Sequence, residues 1–252
     1  MIGVFDSGVG GLTVLRAMRD VFPSIDVVYF GDTKNAPYGS RSREELSVLT
    51  VEGIKFLLNN GATTIVSACN SVSASLAISL YDVLSIAPQQ LIEMVGPTVA
   101  AFKGSKEKVA LCATEATVQS GIYQNAFHMI GLDITSIAIP GLASAIEEGT
   151  SEQEVEAIIA EAFKDVALGF DTLVLACTHY PLAMSSFKQV LGGSIELYDP
   201  ALAVAERVEA DFWPREVGDS AMRFFISKDS EVFRTLAGKL FPESEYSIEV
   251  IE

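Results

Sequence analysis

Gly61-Ala62-Thr63-Thr64-Ile65-Val66-Ser67-Ala68-Cys69 and Gly169-Phe170-Asp171-Thr172-Leu173-Val174-Leu175-Ala176-Cys177 share one frame, G-x-x-T-x-V-x-A-C. The two cysteines lie 177 − 69 = 108 residues apart. The same shift carries Ile2-Gly3-Val4-Phe5 onto Ala110-Leu111-Cys112-Ala113, and the helix start at Ser42-Arg43-Glu44 onto Thr150-Ser151-Glu152. One unit is therefore used twice, and each copy brings a thiol to the end of an equivalent strand. A site between two such halves would present a cysteine to each face of a substrate.

Working outward, short β-branched or aromatic runs recur at Ile2 to Phe5, Asp26 to Phe30, Thr64 to Ser67 and Leu91 to Val95, then again at Val109 to Ala113, Ile134 to Ile139, Thr172 to Leu175 and Ile195 to Tyr198. Between them lie longer segments with helical spacing, such as Arg43 to Leu58 and Ser151 to Leu168. Strands alternating with helices predict an α/β fold of mainly parallel sheets flanked by helices. The repeat predicts two pseudo-symmetric domains with the active site in the cleft between them. Gly96-Pro97 punctuates the halves, which puts residues 1–96 and the tail 211–252 in the first domain and 97–210 in the second. In the tail, Met222 to Ile226 and Ser247 to Ile251 read as strands around a helix from Glu231 to Leu240.

Composition limits what such a fold could serve. With 17 Lys+Arg against 33 Asp+Glu, the formal charge of −16 argues against nucleic acid as the main ligand, which requires clustered cations. No apolar run approaches the ~18 residues of a membrane span. The N-terminus opens on a strand pattern without a basic leader, so a cytoplasmic location is expected. Three cysteines in 252 residues do not form a disulfide framework.

Small polar or reactive residues collect just after the strands: Asp6-Ser7, Asp32-Thr33, Cys69-Asn70-Ser71, Thr114 with Thr117, and Cys177-Thr178-His179. Ligands of open α/β sheets bind outside the carboxyl ends of strands, so these groups point to one shared cleft. Helix capping alone accounts for Asp32, Thr33 or Thr114, but not for two cysteines in one slot. Asp6-Ser7-Gly8-Val9-Gly10-Gly11 is a strand-to-helix turn suited to an anion, yet its glycine spacing departs from the dinucleotide fingerprint and no Walker lysine follows. A carboxylate ligand fits it better than a nucleotide.

A thiolate is both nucleophile and base. A hydrolase or transferase needs one, activated by a histidine, whereas inversion of a carbon centre by proton transfer needs a base on one face and an acid on the other. Matched groups can exchange those roles with reaction direction. Cys69 and Cys177 form such a pair; the alternative is two buried structural cysteines, which explains Cys112 within its apolar strand. Each catalytic candidate precedes an expected helix start, whose dipole favours an anion. Asp6 and His179 stand as proton-transfer partners, one near each thiol, while His128 lies in a helical stretch, Gln124 to Ile130, and reads as packed or exposed rather than catalytic.

These residues resemble the glutamate racemase family. Phe5-Asp6-Ser7-Gly8-Val9-Gly10-Gly11-Leu12-Thr13-Val14-Leu15, Tyr29-Phe30-Gly31-Asp32 with Pro37-Tyr38-Gly39, Ala68-Cys69-Asn70-Ser71, Ala113-Thr114-Glu115-Ala116-Thr117 with Ser120 and Tyr123, and Cys177-Thr178-His179-Tyr180-Pro181-Leu182 occur in family order from Phe5 to Asp199. The resemblance implies a cofactor-independent amino-acid racemase that makes D-glutamate for the bacterial cell wall. It implies Cys69 and Cys177 as the acid/base pair, assisted by Asp6 and His179, with no metal and no pyridoxal phosphate. It implies substrate contacts from Asp6, Ser7, Pro37, Tyr38 and Gly39 on one side. Asn70, Ser71, Thr114, Thr117, Thr178 and His179 complete the set. A homodimer and a cell-wall precursor acting as activator are compatible with the same resemblance. Ser71 stands where the family has threonine, Ile139-Pro140 stands where it has Cys-Pro, and its next acidic residue aligns with Glu147. An aspartate racemase of the same superfamily is the alternative enzyme. A non-catalytic amino-acid-binding or interaction protein would be expected to lack one thiol, Asp6 or His179, and all four are present.

Overall fold

The strands of the repeat are apolar along their whole length because both their faces are covered. In β1 (Ile2–Asp6), β2 (Val27–Gly31), β3 (Thr64–Ser67), β5 (Val109–Ala113) and β7 (Thr172–Ala176) every residue is buried. That is the signature of parallel sheet packed between helices. The computed structural model describes residues 1–76, 83–212, 216 and 218–251. It contains two wholly parallel sheets.

The second sheet runs β6-β5-β7-β8, with β6 at Thr135–Ala138 and β8 at Glu196–Tyr198. The first runs β10-β9-β2-β1-β3-β4, with β4 at Leu91–Glu93, β9 at Met222–Ile226 and β10 at Tyr246–Val250. Removing the tail strands leaves β2-β1-β3-β4, the same order as the second sheet. The 108-residue shift carries β1, β2 and β3 onto β5, β6 and β7, while β8 ends one residue before the position to which it carries the start of β4; the tail extends the free edge of β2.

Helices are set by local chemistry. α1 (Gly11–Val21) buries Leu12, Val14, Leu15 and Met18 against the first sheet. α2 (Arg43–Asn59) starts with a complete capping box, in which the Ser42 hydroxyl accepts from the Glu45 N–H and the Glu45 carboxylate accepts from the Ser42 N–H. The expected helix from Ser151 to Leu168 is shorter, Glu152–Phe163, closing once Val155, Ile159 and Phe163 have covered the second sheet. The helix Ala201–Phe212 buries Ala201, Val204, Val208 and Phe212 in the core of the first sheet beside α1, whereas the boundary expected from sequence assigns its residues up to 210 to the second domain. Its buried face shares one core with that of α1, a pairing that sequence position alone does not reveal.

The tail completes the first core. Phe224 of β9 is fully buried, with its ring against Tyr29, Phe233, Phe241 and Tyr246. Phe224→Ala should cost about 3–5 kcal/mol of stability. Urea unfolding would measure it, and a loss below about 1 kcal/mol would mean that this ring does not anchor the tail.

Candidate active site

The carboxyl ends of β1 and β3 in the first sheet face those of β5 and β7 in the second. Asp6 ends β1, Thr114 follows β5, Cys69 follows β3 and Cys177 follows β7. Both thiols are free and buried, each 5% exposed. They are near enough for the charge of one to raise the pKa of the other's thiol.

The two sulfurs have different surroundings. The Cys69 thiol donates to Ser7 Oγ at 3.7 Å, and Cys69 is the N-cap residue of α3 (Asn70–Ser75), where the Val72 N–H faces the sulfur. Burial, followed by the charge of Asp6, pushes the Cys69 thiol up to about 12, further than that N–H can offset. Cys177 does not open an α-helix, contrary to the expectation from sequence. A 3-10 turn at Tyr180–Ala183, containing Pro181, comes first, and the helix begins only at Met184. The support for Cys177 is instead a side chain: His179 Nδ1 lies 3.9 Å from its sulfur.

His179 is held from behind by Glu147, whose Oε2 lies 2.6 Å from Nε2. Burial opposes an imidazolium here, but the hydrogen bonds to Cys177 and Glu147 and their charges prevail, holding the His179 pKa well above its ordinary value. The same Glu147 oxygen accepts from the Val9 N–H at 3.0 Å, so the glycine-rich turn binds a carboxylate of the protein itself. A β-carbon on Gly8 would fall within the Glu147 carboxylate, which is why the turn is bare there.

Asp6 is fully buried and does not cap α1, whose N-cap is Gly10. Its carboxylate accepts from the Gly8 N–H at 2.9 Å and from Thr178 Oγ1 at 3.1 Å. Burial pushes the Asp6 carboxyl up, against the pull of His179 and the N–H groups of Gly8 and Gly11. Asp6, Thr178, His179 and Glu147 thus form one charged network across the two units.

The opposite side of the cleft is neutral. Ser71, Thr114 and Thr117 form a triangle of hydroxyls at 2.9, 3.1 and 3.4 Å, again across the two units. Asn70 is buried, with its Oδ1 accepting from Tyr123 Oη at 2.5 Å and its Nδ2 without a partner. Under the 108-residue shift, Asp6 falls on Thr114 and Ser71 on His179. The pseudo-symmetric positions that carry charge on one side carry hydroxyls on the other.

The loop 35–40 closes the mouth. Asp32 accepts from Tyr38 Oη at 2.6 Å, Ser227 Oγ at 2.6 Å and the Asn35 amide, which fixes Pro37-Tyr38-Gly39 over the cleft. Gly39 lies so near Thr114 that a β-carbon would stand 2.6 Å from its methyl. A cavity of about 30 Å³ between Pro37, Gly39 and Thr114 is what remains there, while one of about 470 Å³ opens beside Ser71, Arg41 and Arg43. His128 is exposed and bonded to Asp133, and Cys112 is sealed within β5.

Every residue expected at the site from sequence therefore lies at this junction, and three others complete it. The family resemblance covers Glu147 and Tyr123 without giving them a role, and Asp32 reads from sequence as a helix cap. Their partners His179, Asn70 and Tyr38 come from other segments of the chain, and periodicity carries no signal for such pairings.

The profile of the Asp/Glu/Hydantoin racemase family matches residues 12–208. The glutamate racemase of Aquifex aeolicus is 35% identical over 250 residues, covering 98% of this chain and 96% of its own. The crystal structure of the RacE1 glutamate racemase isoform of Bacillus anthracis superimposes with a TM-score of 0.88 at 31% identity, covering 100% of this chain and 97% of its own. That of the Francisella tularensis glutamate racemase in complex with D-glutamate gives 0.86 at 27% identity, with the same coverage. Similarity along almost the whole sequence joins the two-thiol cleft in pointing one way: the chain belongs to the Asp/Glu/Hydantoin racemase family, among its glutamate racemases.

Proposed function

We propose that the cleft interconverts L- and D-glutamate by direct proton transfer between Cys69 and Cys177, with no cofactor. The observation that carries this reading is the pair of buried thiols at equivalent strand ends, with Ser7 and the charge of Asp6 near Cys69 and His179 beside Cys177. One thiolate removes the α-proton from one face, and the opposite thiol delivers a proton to the other. In the reverse direction the roles exchange. Asp6 and His179 serve as the proton-transfer partners, His179 directly against Cys177.

Cys69 starts as the acid, because its thiol is held neutral by burial and by the charge of Asp6. A substrate ammonium would supply the positive charge this side lacks. The hydroxyls of Ser7, Ser71, Thr114, Thr117 and Thr178, the Asn70 amide and the loop Pro37-Tyr38-Gly39 form the substrate-binding set. Neutral donors suit a dicarboxylate here, since they bind without fixing a counter-ion beside the reacting carbon. Aspartate has the same groups with a shorter side chain, so specificity is the point that most needs measurement.

The reading extends to D-glutamate supply for peptidoglycan in the cytoplasm, in a two-domain enzyme. Among the described residues, no helix is long and apolar enough to cross a membrane. A cell-wall precursor is the activator to test on this protein. A homodimer is the assembly to test alongside it.

Chiral analysis of glutamate and of aspartate incubated with purified protein, without added cofactor, tests the function. Glutamate should racemise from both enantiomers, and activity on aspartate alone would overturn the specificity. In deuterated water Cys69→Ser and Cys177→Ser should each slow exchange of one enantiomer more than the other, with opposite preferences. If both slow the same enantiomer, the two thiols do not stand on opposite faces.

A further inference from the structure

The Asn70 side chain has one end satisfied and one end not. Its Oδ1 is held by Tyr123 Oη at 2.5 Å, across the junction between the two units. Its Nδ2 is buried with no partner. Burying an amide donor unpaired is costly, so a persistent orphan beside a cleft marks a group kept for a ligand. Asn70 stands between Cys69 and Ser71 at the start of α3, the segment that the proposed reading gives to the substrate.

An asparagine amide turns readily about its last torsion, and its two ends differ completely in chemistry. Turned one way it offers two N–H donors to a carboxylate; turned the other way it offers a repelling carbonyl. We infer that Tyr123 is a positioning residue that fixes the Asn70 amide with its N–H groups toward a substrate carboxylate. Tyr123 is itself rigid, with no exposed surface, packed in the second unit with Phe127 and Val99. The inference rests on the reading of the cleft as a glutamate site.

Tyr123→Phe removes the hydroxyl and keeps the ring. It should raise KM for both enantiomers about tenfold, the worth of one well-oriented hydrogen bond to a charged group, with kcat nearly unchanged. In an Asn70→Ala background the same change should alter KM by less than about twofold, since the group it orients is gone. An equal rise in both backgrounds, or a fall in kcat and melting temperature with KM unchanged, would show a packing role and overturn the inference. The Asn70 side-chain ¹⁵N–¹H signals give a readout separate from turnover. Adding D-glutamate should shift them in the unmodified protein and much less in Tyr123→Phe; no shift in the unmodified protein overturns the inference even with racemisation intact. If the signals respond as expected while no glutamate racemises, the inference stands and the assigned reaction fails.

Discussion

Cys69→Ala and Cys177→Ala should each reduce racemisation of glutamate to background, a loss of at least ~10³-fold, while Cys112→Ala leaves it near the unmodified rate. All three thiols are free and buried, so burial does not distinguish them. Position does. Cys112 lies within β5 with its neighbours paired on both sides, whereas Cys69 and Cys177 lie just beyond β3 and β7, where the backbone leaves the sheet. On the proposed mechanism, removing either sulfur would leave a proton with no acceptor or no donor on one face, and the remaining thiol could not serve both faces. Cys112→Ala should cost about 1–2 kcal/mol in packing. Chiral chromatography and urea unfolding on the same three variants would check this. Activity within about tenfold of the unmodified protein in either alanine variant would exclude the two-thiol mechanism.

The fold was largely legible in the sequence because it is a repeat of buried parallel strands. Thr64–Ser67, Val109–Ala113 and Met222–Ile226 begin and end where their apolar runs do. Errors arose where tertiary packing decides. The helix Ala201–Phe212 belongs with α1 because its buried face fits there, and the segment after Cys177 forms a 3-10 turn where its counterpart after Cys69 forms an α-helix. The site was legible as a set of residue types after strands. Its division into a charged side and a neutral side was not, because Glu147–His179, Thr178–Asp6, Ser71–Thr114 and Asn70–Tyr123 are each contacts between distant segments.

That division has a mechanistic consequence. A duplicated fold offers a nearly symmetric cleft to a substrate that is not symmetric, so one arrangement of its ammonium and two carboxylates must be selected. On the proposed reading, the charged Asp6 and His179, with Glu147 behind His179, would do this, since the related positions hold the hydroxyls of Thr114 and Ser71. The thiols remain equivalent in slot while their proton supplies differ, so the two reaction directions need not be equally sensitive to one change.

Asp6→Asn and His179→Asn should therefore each lower kcat by ~10²–10⁴-fold with little change in KM, and by unequal factors in the two directions. Asn at position 6 can still accept from the Gly8 N–H, so a turn-forming role alone would leave activity near normal; kcat within a few-fold of the unmodified protein in both directions would establish that lesser role. Glu147→Gln gives the complementary test through pH. His179 stays protonated above its ordinary range because its bonds to Cys177 and Glu147 outweigh burial. Glutamine keeps a hydrogen-bonding group but removes the negative charge, so the His179 pKa must fall. If the imidazolium is the active form, activity is present below that pKa and lost as pH rises through it. The alkaline limb of kcat/KM should then move to lower pH in Glu147→Gln, with the acid limb moving less. An alkaline limb that stays in place would mean that the charged His179–Glu147 pair does not govern proton delivery at Cys177.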